Sequence, residues 1–247
     1  MSATVTAVVC TYWPGRVQNV QVIVDSLRNG SHQPDHIIVW NNNHPTELEA
    51  TNDRQWGGVG RWIYGADAII NSPVNYECRA KFIAAMLRHA DYYVLCDDDT
   101  ALGRTTLASW KNAALSMGRE RFVTGYWGVS LVANSFMQGI IHQPRLVSGP
   151  TAVDAFHGRV MFMGQQALVN TLDLEGAVRD RWPTEGDDLI AGLANPGTSW
   201  IIPQRGEELL IDLDDGGEAM QYADGYFAMR DRFCLDVVNA AKERGLR

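Results

Sequence analysis

The first forty residues of this chain contain two strand-like runs separated by a helix-like run, an order that few folds can accommodate. Thr4 to Thr11 is a β-branched apolar run of strand length, and Asp35 to Trp40 is a second one. Between them, from Arg16 to Arg28, apolar residues recur at helical spacing until Asn29 and Gly30 supply a stop signal. Strand, helix and strand over this length form a parallel βαβ unit. We therefore predict an α/β fold with a mostly parallel sheet flanked by helices.

Further apolar runs continue this pattern along the chain. We predict a third strand at Ala66 to Ile70 and a fourth strand that ends at Asp97, with a helix from Tyr76 to His89 between them. A chain of 247 residues can bury a sizeable core, and its composition marks no linker, so we expect a single domain. The other predicted elements are a helix at Arg104 to Met117, strands at Arg121 to Val132 and Gly158 to Met163, and helices from near Gly164, from near Asp187 and over Tyr222 to Arg244.

Composition argues against several classes of protein. A formal charge of −8 disfavours a general affinity for polyanions, although it leaves room for a short basic groove. The four cysteines are widely spaced within apolar runs, which predicts free thiols rather than disulfides or a zinc site. Met1 to Thr4 contains no basic residue and precedes an apolar run of one strand length. We therefore expect neither a signal peptide nor a membrane span, and a cytoplasmic location.

Three consecutive carboxylates, Asp97, Asp98 and Asp99, follow the apolar run Tyr92 to Cys96. Carboxylates this close repel one another unless a hard divalent cation or a hydrogen-bonded sugar takes up the charge. Magnesium and manganese prefer oxygen ligands and usually bind one or two carboxylates together with a substrate phosphate. The run therefore predicts a metal site whose partner is a diphosphate. The alternative is an acidic turn that caps the helix near Arg104, a role that one aspartate would fill.

Other polar residues are expected near the same edge of the sheet. In an open α/β sheet, ligands bind outside the carboxyl ends of the strands, so Thr11, Asn41 and the aspartate run should face one crevice. Arg79 and Lys81 are basic candidates on the helix before the run, although an ordinary solvated helix face would also explain them. Aromatic residues that could form acceptor walls, or simply pack in the core, are Trp56, Trp62, Tyr126 and Trp127.

A second acidic pair, Asp187 and Asp188, lies at the start of a predicted helix. It could cap that helix, or it could supply a separately placed carboxylate. Breaking a sugar–phosphate bond needs a cation and basic residues that neutralise the departing diphosphate. It also needs a carboxylate that deprotonates the acceptor or stabilises the cationic sugar carbon. The sequence contains this inventory. A third acidic cluster at Asp212 to Asp215 is turn-like, and we expect it to be solvated.

The order of these motifs resembles that of the exostosin-like glycosyltransferases, which have the nucleotide-diphospho-sugar transferase (GT-A) fold. The similarity is thin and runs from about Thr4 to Asn239, and its more specific parts are the strand end Trp40-Asn41-Asn42 and the triple aspartate. The resemblance implies a nucleotide-binding half over residues 1–100 and an acceptor-binding half over 101–247. The other matching segments are Thr11-Tyr12 with Arg16, Ile37 to Val39, Arg79 with Lys81, Gly186 to Ala191, and Arg232 to Asn239.

The resemblance also implies roles for individual residues. Asp99 would bind Mn²⁺ or Mg²⁺ directly, while Asp97 would face the ribose or a metal-bound water. Asp188, next to Asp187, would be the catalytic carboxylate beneath the sugar. The donor would be a UDP-sugar, and the transfer would retain anomeric configuration. The nucleotide-sugar site would comprise Thr11, Tyr12, Arg16, Asn41, Asn42, Arg79, Lys81, Asp97 and Asp98.

The chain also departs from this family. We expect it to lack the membrane anchor of the animal members. Arg230 and Arg232 lie near the position of their late catalytic arginine without matching its register. The acceptor could be a glycan or a modified DNA base of a phage or microbe. Three alternatives stay open: an inverting transferase with Asp187 or Asp188 as the base, a nucleotidyltransferase, and a non-catalytic protein that binds sugar nucleotides or carbohydrate. The nucleotidyltransferase is disfavoured because Tyr12 to Arg16 makes a poor phosphate loop.

Overall fold

The computed structural model describes residues 3–53, 61–117, 119–185, 187–213 and 225–247, and it is a mixed α/β structure. The α-helices are α1 (Val17–Arg28), α2 (Ala80–Ala85), α3 (Thr106–Met117), α4 (Gln165–Val178), α5 (Asp187–Leu193) and α6 (Tyr226–Glu243). The strands are β1 (Val5–Thr11), β2 (His36–Asn42), β3 (Glu49–Thr51), β4 (Trp62–Tyr64), β5 (Ala68–Ser72), β6 (Tyr92–Cys96), β7 (Thr100–Ala101), β8 (Val123–Val132), β9 (Ser135–His142), β10 (Thr151–Ala152), β11 (Ala155–Gly164), β12 (Trp200–Ile201) and β13 (Ile211–Asp212).

The chain divides into two compact units, and the first comprises Met1–Ser109 with Arg205–Glu218. Its strands β5, β2, β1 and β6 pair in that order, and every pairing is parallel. The aliphatic side chains of β1 and β6 are fully buried, as expected for strands covered on both faces. The predicted βαβ unit is confirmed. Since parallel strands end at one edge, Thr11 pairs with Asn41, and Asn41 pairs with Asn71.

The segment 205–213 belongs to the first unit although it is distant in sequence. Strand β13 pairs antiparallel with β7, which directly follows the aspartate run. The Leu213 N–H donates to the Asp99 carbonyl at 2.8 Å, and the Thr105 N–H donates to the Glu207 carbonyl at 3.1 Å. This late segment therefore supports the backbone on the C-terminal side of the aspartates.

The second unit comprises Trp110–Gln204 with Ala219–Arg247. Its strands β11, β8 and β9 form antiparallel pairs. Helices α4, α5 and α6 share a buried core in which Leu174, Leu189 and Phe233 are fully enclosed. The first turn of α5, where the second acidic pair lies, is thereby held against α6 and β11.

Several elements differ from the predictions. Strand β9 was not predicted, because its exposed positions hold both polar and apolar residues and give no regular alternation. Ile140 and Ile141, for example, are both exposed. Helix α2 ends at Ala85 instead of His89. The next apolar residues, Met86 and Leu87, are exposed, so packing does not extend the helix beyond Ala85. The four cysteines are free thiols, as predicted. Within the described ranges, no helix is long and apolar enough to cross a membrane.

Some predicted features lie outside the described residues. These are Trp56, Gly186, Asp214 and Asp215, and the first residues of the predicted last helix. Asp212 is described, and its side chain is exposed.

Gly103 provides a test of how the late segment is held. A methyl group on Gly103 would overlap the backbone carbonyl oxygens of Glu207 and Leu209. We expect Gly103→Ala to lower the free energy of unfolding by about 1–3 kcal/mol, the usual cost of overpacking. Urea denaturation measures it. Gly176→Ala in α4 is the control, since nothing lies within 4 Å of an added methyl there, and we expect it to raise stability by about 0.5–1 kcal/mol.

Candidate functional site

Asp98 occupies the centre of a buried hydrogen-bond network at the edge of the first unit's sheet. The Thr11 hydroxyl donates to its Oδ2 at 2.8 Å, and the Tyr12 N–H donates to the same oxygen at 3.3 Å. Arg16 Nη1 donates to Oδ1 at 3.2 Å. Burial raises the pKa of Asp98, while Thr11 and Arg16 act in the opposite direction. Both carboxylate oxygens thus accept from the end of β1 and the turn after it.

Arg16 also contacts the next aspartate in the run. Its Nη1 lies 3.4 Å from Asp99 Oδ2, and the Thr100 hydroxyl donates to Asp99 Oδ1 at 3.3 Å. The Arg16 guanidinium is itself buried. One cation therefore compensates two adjacent carboxylates. In addition, the Asn19 side chain donates to the Asp98 carbonyl at 2.9 Å, which joins α1 to the same turn.

Lys81 is fully buried, with 1% of its side chain exposed, and it is directed at the first aspartate of the run. Its Nζ lies 2.7 Å from Asp97 Oδ1, whereas the Asp97 side chain is 35% exposed. Lys81 therefore anchors Asp97 from below. The interpretation of Lys81 as a solvated helix residue is wrong, because its side chain is buried and only that of Asp97 reaches the surface. The three aspartates are compensated by two buried cations, Arg16 and Lys81.

The predicted asparagines Asn41 and Asn42 are buried and hold the loops that follow β2 and β5. Asn41 Nδ2 donates to the Thr46 carbonyl at 2.9 Å and to Asn71 Oδ1 at 2.8 Å. Asn42 Nδ2 donates to Asn75 Oδ1 at 2.7 Å. These amides shape the edge of the sheet through contacts with the protein itself.

Among the predicted nucleotide-site residues, Tyr12, Arg79 and Asp97 are partly exposed. The rings of Tyr12 and Trp13 meet edge to face, with centroids 5.0 Å apart. A residue that the motifs did not reveal, His44, is buried beside Asn41, whose Oδ1 accepts the His44 N–H at 2.7 Å. The sequence signal for it was weak: a single histidine after a polar strand end.

Asp188 lies in the second unit, where its carboxylate is buried and bonded on both oxygens. The Gly158 N–H of β11 donates to Asp188 Oδ2 at 2.9 Å, and the Leu189 N–H donates to Oδ1 at 2.9 Å. The second contact lies in the first turn of α5, so the predicted capping role is partly realised. The helix start also carries Asp187, whose side chain lies outside the described part of the chain.

Arg230 of α6 binds this carboxylate directly. Its Nη2 donates to Asp188 Oδ1, and its Nη1 donates to Glu185 Oε2 at 3.0 Å. The guanidinium also lies over the Phe136 ring, 5.1 Å from the centroid. Burial alone would lower the pKa of Arg230, but Asp188, Tyr226 and Glu185 together raise it above its ordinary value. Arg230, to which the sequence motifs assigned no role, is therefore a permanent cation beside Asp188. Its second partner, Glu185, was not indicated by the sequence.

Aromatic residues surround this part of the second unit. Tyr126 is buried and stacks on the half-buried Trp127, with centroids 4.9 Å apart. The His157 ring contacts the rings of both Trp127 and Phe136. His142 bonds the Ser130 hydroxyl at 2.9 Å. The remaining predicted wall residue, Trp62, lies in β4 of the first unit with the Arg61 guanidinium over its ring.

The carboxylates of the aspartate run have the chemistry of a hard-cation site. Across the described ranges, no group of three or more His, Cys, Asp or Glu side chains is arranged to hold a metal ion. Asp98 is directed into the protein, and Asp99 is also buried, with its two carboxylate oxygens bonded by Arg16 and Thr100. Asp97 is the aspartate of the run whose side chain reaches the surface. Two carboxylates suit Mg²⁺ or Mn²⁺, which keep waters and substrate phosphates as their other ligands. The carboxylates of Asp97 and Asp99 therefore fit such a cation in their chemistry, and Asp99 would bind it in exchange for its contact with Arg16.

No protein-family model matches this chain, and a comparison with curated proteins finds no match.

The shared role of Arg16 can be measured in a double-mutant cycle. We expect Arg16→Met to lower the free energy of unfolding by about 3–5 kcal/mol, because it leaves two buried carboxylates without their cation. The double variant Arg16→Met with Asp98→Asn should lose less, since one of those charges is gone. Urea denaturation of the four proteins gives the coupling energy.

The control is Arg104→Met. It breaks an ion pair with Glu207 in which both side chains are more than 60% exposed, with an expected cost of about 0–1 kcal/mol. Equal losses in Arg16→Met and the double variant would contradict the shared role.

Proposed function

We propose that this protein is a metal-dependent glycosyltransferase of the GT-A fold that transfers a sugar from a UDP-sugar to a hydroxyl acceptor, with retention of configuration. The observation that supports it most is that the aspartates at the end of β6 have different environments. Asp98 is buried and bonded by Thr11 and Arg16, whereas Asp97 is partly exposed and held by the buried Lys81. A buried strand that ends in such a run has the chemistry expected of a diphosphate site.

The proposed cation site consists of Asp99 and Asp97, and the cation would be Mn²⁺ or Mg²⁺. When bound, such a cation neutralises charge on a departing diphosphate. Arg79 and Tyr12, both partly exposed, are the proposed contacts for the nucleotide among the chain's own residues. Thr11, Arg16, Asn41 and Asn42 act behind them by fixing the ends of β1 and β2.

Asp188 is the proposed catalytic carboxylate. It is fixed in place, because Arg230 and two backbone N–H groups donate to it. A carboxylate with this many donors is a weak base, which favours stabilisation of a cationic sugar carbon over deprotonation of the acceptor. This is the reason for preferring the retaining over the inverting reaction.

Donor binding is the first test. We expect one UDP-sugar, in a panel that also holds GDP, CMP and TDP sugars, to raise the thermal midpoint in the presence of Mn²⁺. At 100 times the dissociation constant the shift should be about 5–10 °C for a protein of this size. Asp99→Ala should abolish the Mn²⁺-dependent part, whereas the exposed Asp173→Ala should not. A panel without any shift would overturn the proposal.

Turnover tests the role of Asp188 separately. We expect Asp188→Asn to reduce hydrolysis of the UDP-sugar, or its transfer, by about 10²–10⁴-fold, and to keep the Mn²⁺-dependent thermal shift. The anomeric configuration of the product, read by proton NMR, should match that of the donor. An inverted product would assign Asp188 the role of general base instead, and unchanged turnover would remove it from the chemistry.

One observation favours a second function, a sugar-nucleotide-binding protein without catalysis. The aspartate run carries two buried cations of its own, so it is electrostatically tolerable without a metal ion. The two functions differ in outcome: for the binding protein, a thermal shift with a UDP-sugar would persist in the absence of Mn²⁺, and no turnover would be detected.

A further inference from the structure

Strand β11 contains an irregularity directly beside Asp188. The pairs His157–Trp127 and Met161–Gly125 flank it. Between these pairs, β11 has three residues, 158 to 160, and β8 has one, Tyr126. The two additional residues form a bulge, a feature that re-aims side chains next to binding sites.

Arg159, at the centre of the bulge, has a backbone conformation that residues other than glycine rarely adopt. Its φ is +89°, in the left-handed region. For a residue with a long side chain such a conformation costs about 1–3 kcal/mol and persists where the surrounding structure enforces it. The bulge places the Arg159 guanidinium over the Tyr126 ring, 5.3 Å from the centroid.

The other non-glycine residues with positive φ in the described ranges have local explanations. Ala133 and Asn134 form the two-residue turn between β8 and β9, which requires positive φ at both positions. Asn43 follows β2, and asparagine tolerates this region. Glu77 begins a 3₁₀ turn before α2. Arg159 lies within a strand, where neither a turn nor a helix end calls for the conformation.

Neighbouring residues of the bulge make contacts of different kinds. The Gly158 N–H holds the proposed catalytic carboxylate, and the next residue presents a guanidinium that is half-buried against the stacked Tyr126–Trp127 pair. Arginine supported on an aromatic face keeps its planar set of donors in one orientation, which suits the oxygens of a phosphate. Substitution by glycine would relieve the strain at no steric cost, yet the position holds an arginine.

We propose that Arg159 is a substrate-binding residue of the Asp188 site that recognises a phosphate group, and that the strained bulge exists to present it. The inference rests on the proposed function for the choice of UDP as one probe. The phosphate could belong to the diphosphate of a nucleotide or to a separate phosphate-bearing substrate, and the two sources share the same chemistry.

The test compares Arg159→Gly with Arg159→Ala. Both variants lack the guanidinium, but only glycine adopts the backbone conformation without strain. We expect Arg159→Gly to have the higher urea midpoint of the two. Ala133→Gly, at a positive-φ position in the β8–β9 turn, is the control for relief of strain without loss of binding.

Binding is measured by isothermal titration at constant ionic strength, with UDP, uridine and pyrophosphate as probes. We expect both Arg159 variants to bind pyrophosphate at least 10-fold more weakly than the parent, and Ala133→Gly to bind it equally well. An additional loss for UDP but none for uridine identifies the nucleotide diphosphate as the source. Unchanged UDP binding with weakened pyrophosphate binding identifies a separate phosphate. If both variants bind pyrophosphate like the parent, the proposal is overturned.

Failure of the proposed function gives a different result. A parent protein that binds pyrophosphate but neither UDP nor any UDP-sugar would refute the transferase while supporting the role of Arg159.

Discussion

The cost of burying Asp98 governs the structure of the first unit's site. A carboxylate removed from water needs a cation and hydrogen-bond donors, and here they come from Thr11, Tyr12 and Arg16 at the end of the neighbouring strand β1. This fixes the turn after β1 against the end of β6. Asp97 and Asp99 then flank the buried carboxylate, each with a cation of its own or a shared one.

The second unit also contains a buried arginine that bonds two carboxylates. Arg230 is buried between Glu185 and Asp188, just as Arg16 is buried between Asp98 and Asp99. In each case one guanidinium serves two carboxylates, which leaves a negative charge and an ordered geometry. A cluster of this kind adds little to stability compared with apolar packing, but it holds its carboxylates in one geometry. Carboxylates held in a fixed position are what the proposed reaction through a cationic sugar carbon would require.

The sequence predicted the parallel strands well, because buried strands are continuous apolar runs such as Val5 to Thr11. It did not reveal strand β9, an edge strand with a mixed outer face. The sequence indicated which polar residues lie at the ends of the strands, but it did not indicate the direction of their side chains. Whether Lys81 or Asn41 faces solvent or protein depends on partners at Asp97 and Asn71, and no spacing rule encodes such pairs.

The contact between Arg230 and Asp188 shows the same limit over a longer range. The two residues are 42 positions apart, on different helices, and their meeting follows from how α5 and α6 pack. The bulge at Arg159 is similar, since a register shift depends on both strands and a local sequence describes one.

Neither compact unit is a continuous piece of chain. Strand β13 and the turn around Glu207 complete the first unit, but they are encoded after residues 110–204 of the second. During synthesis on the ribosome, the backbone of Asp99 therefore lacks its hydrogen bond from Leu213 until most of the protein has been made. Each unit is therefore completed only late in synthesis, and no single cut in the chain would yield either of them intact.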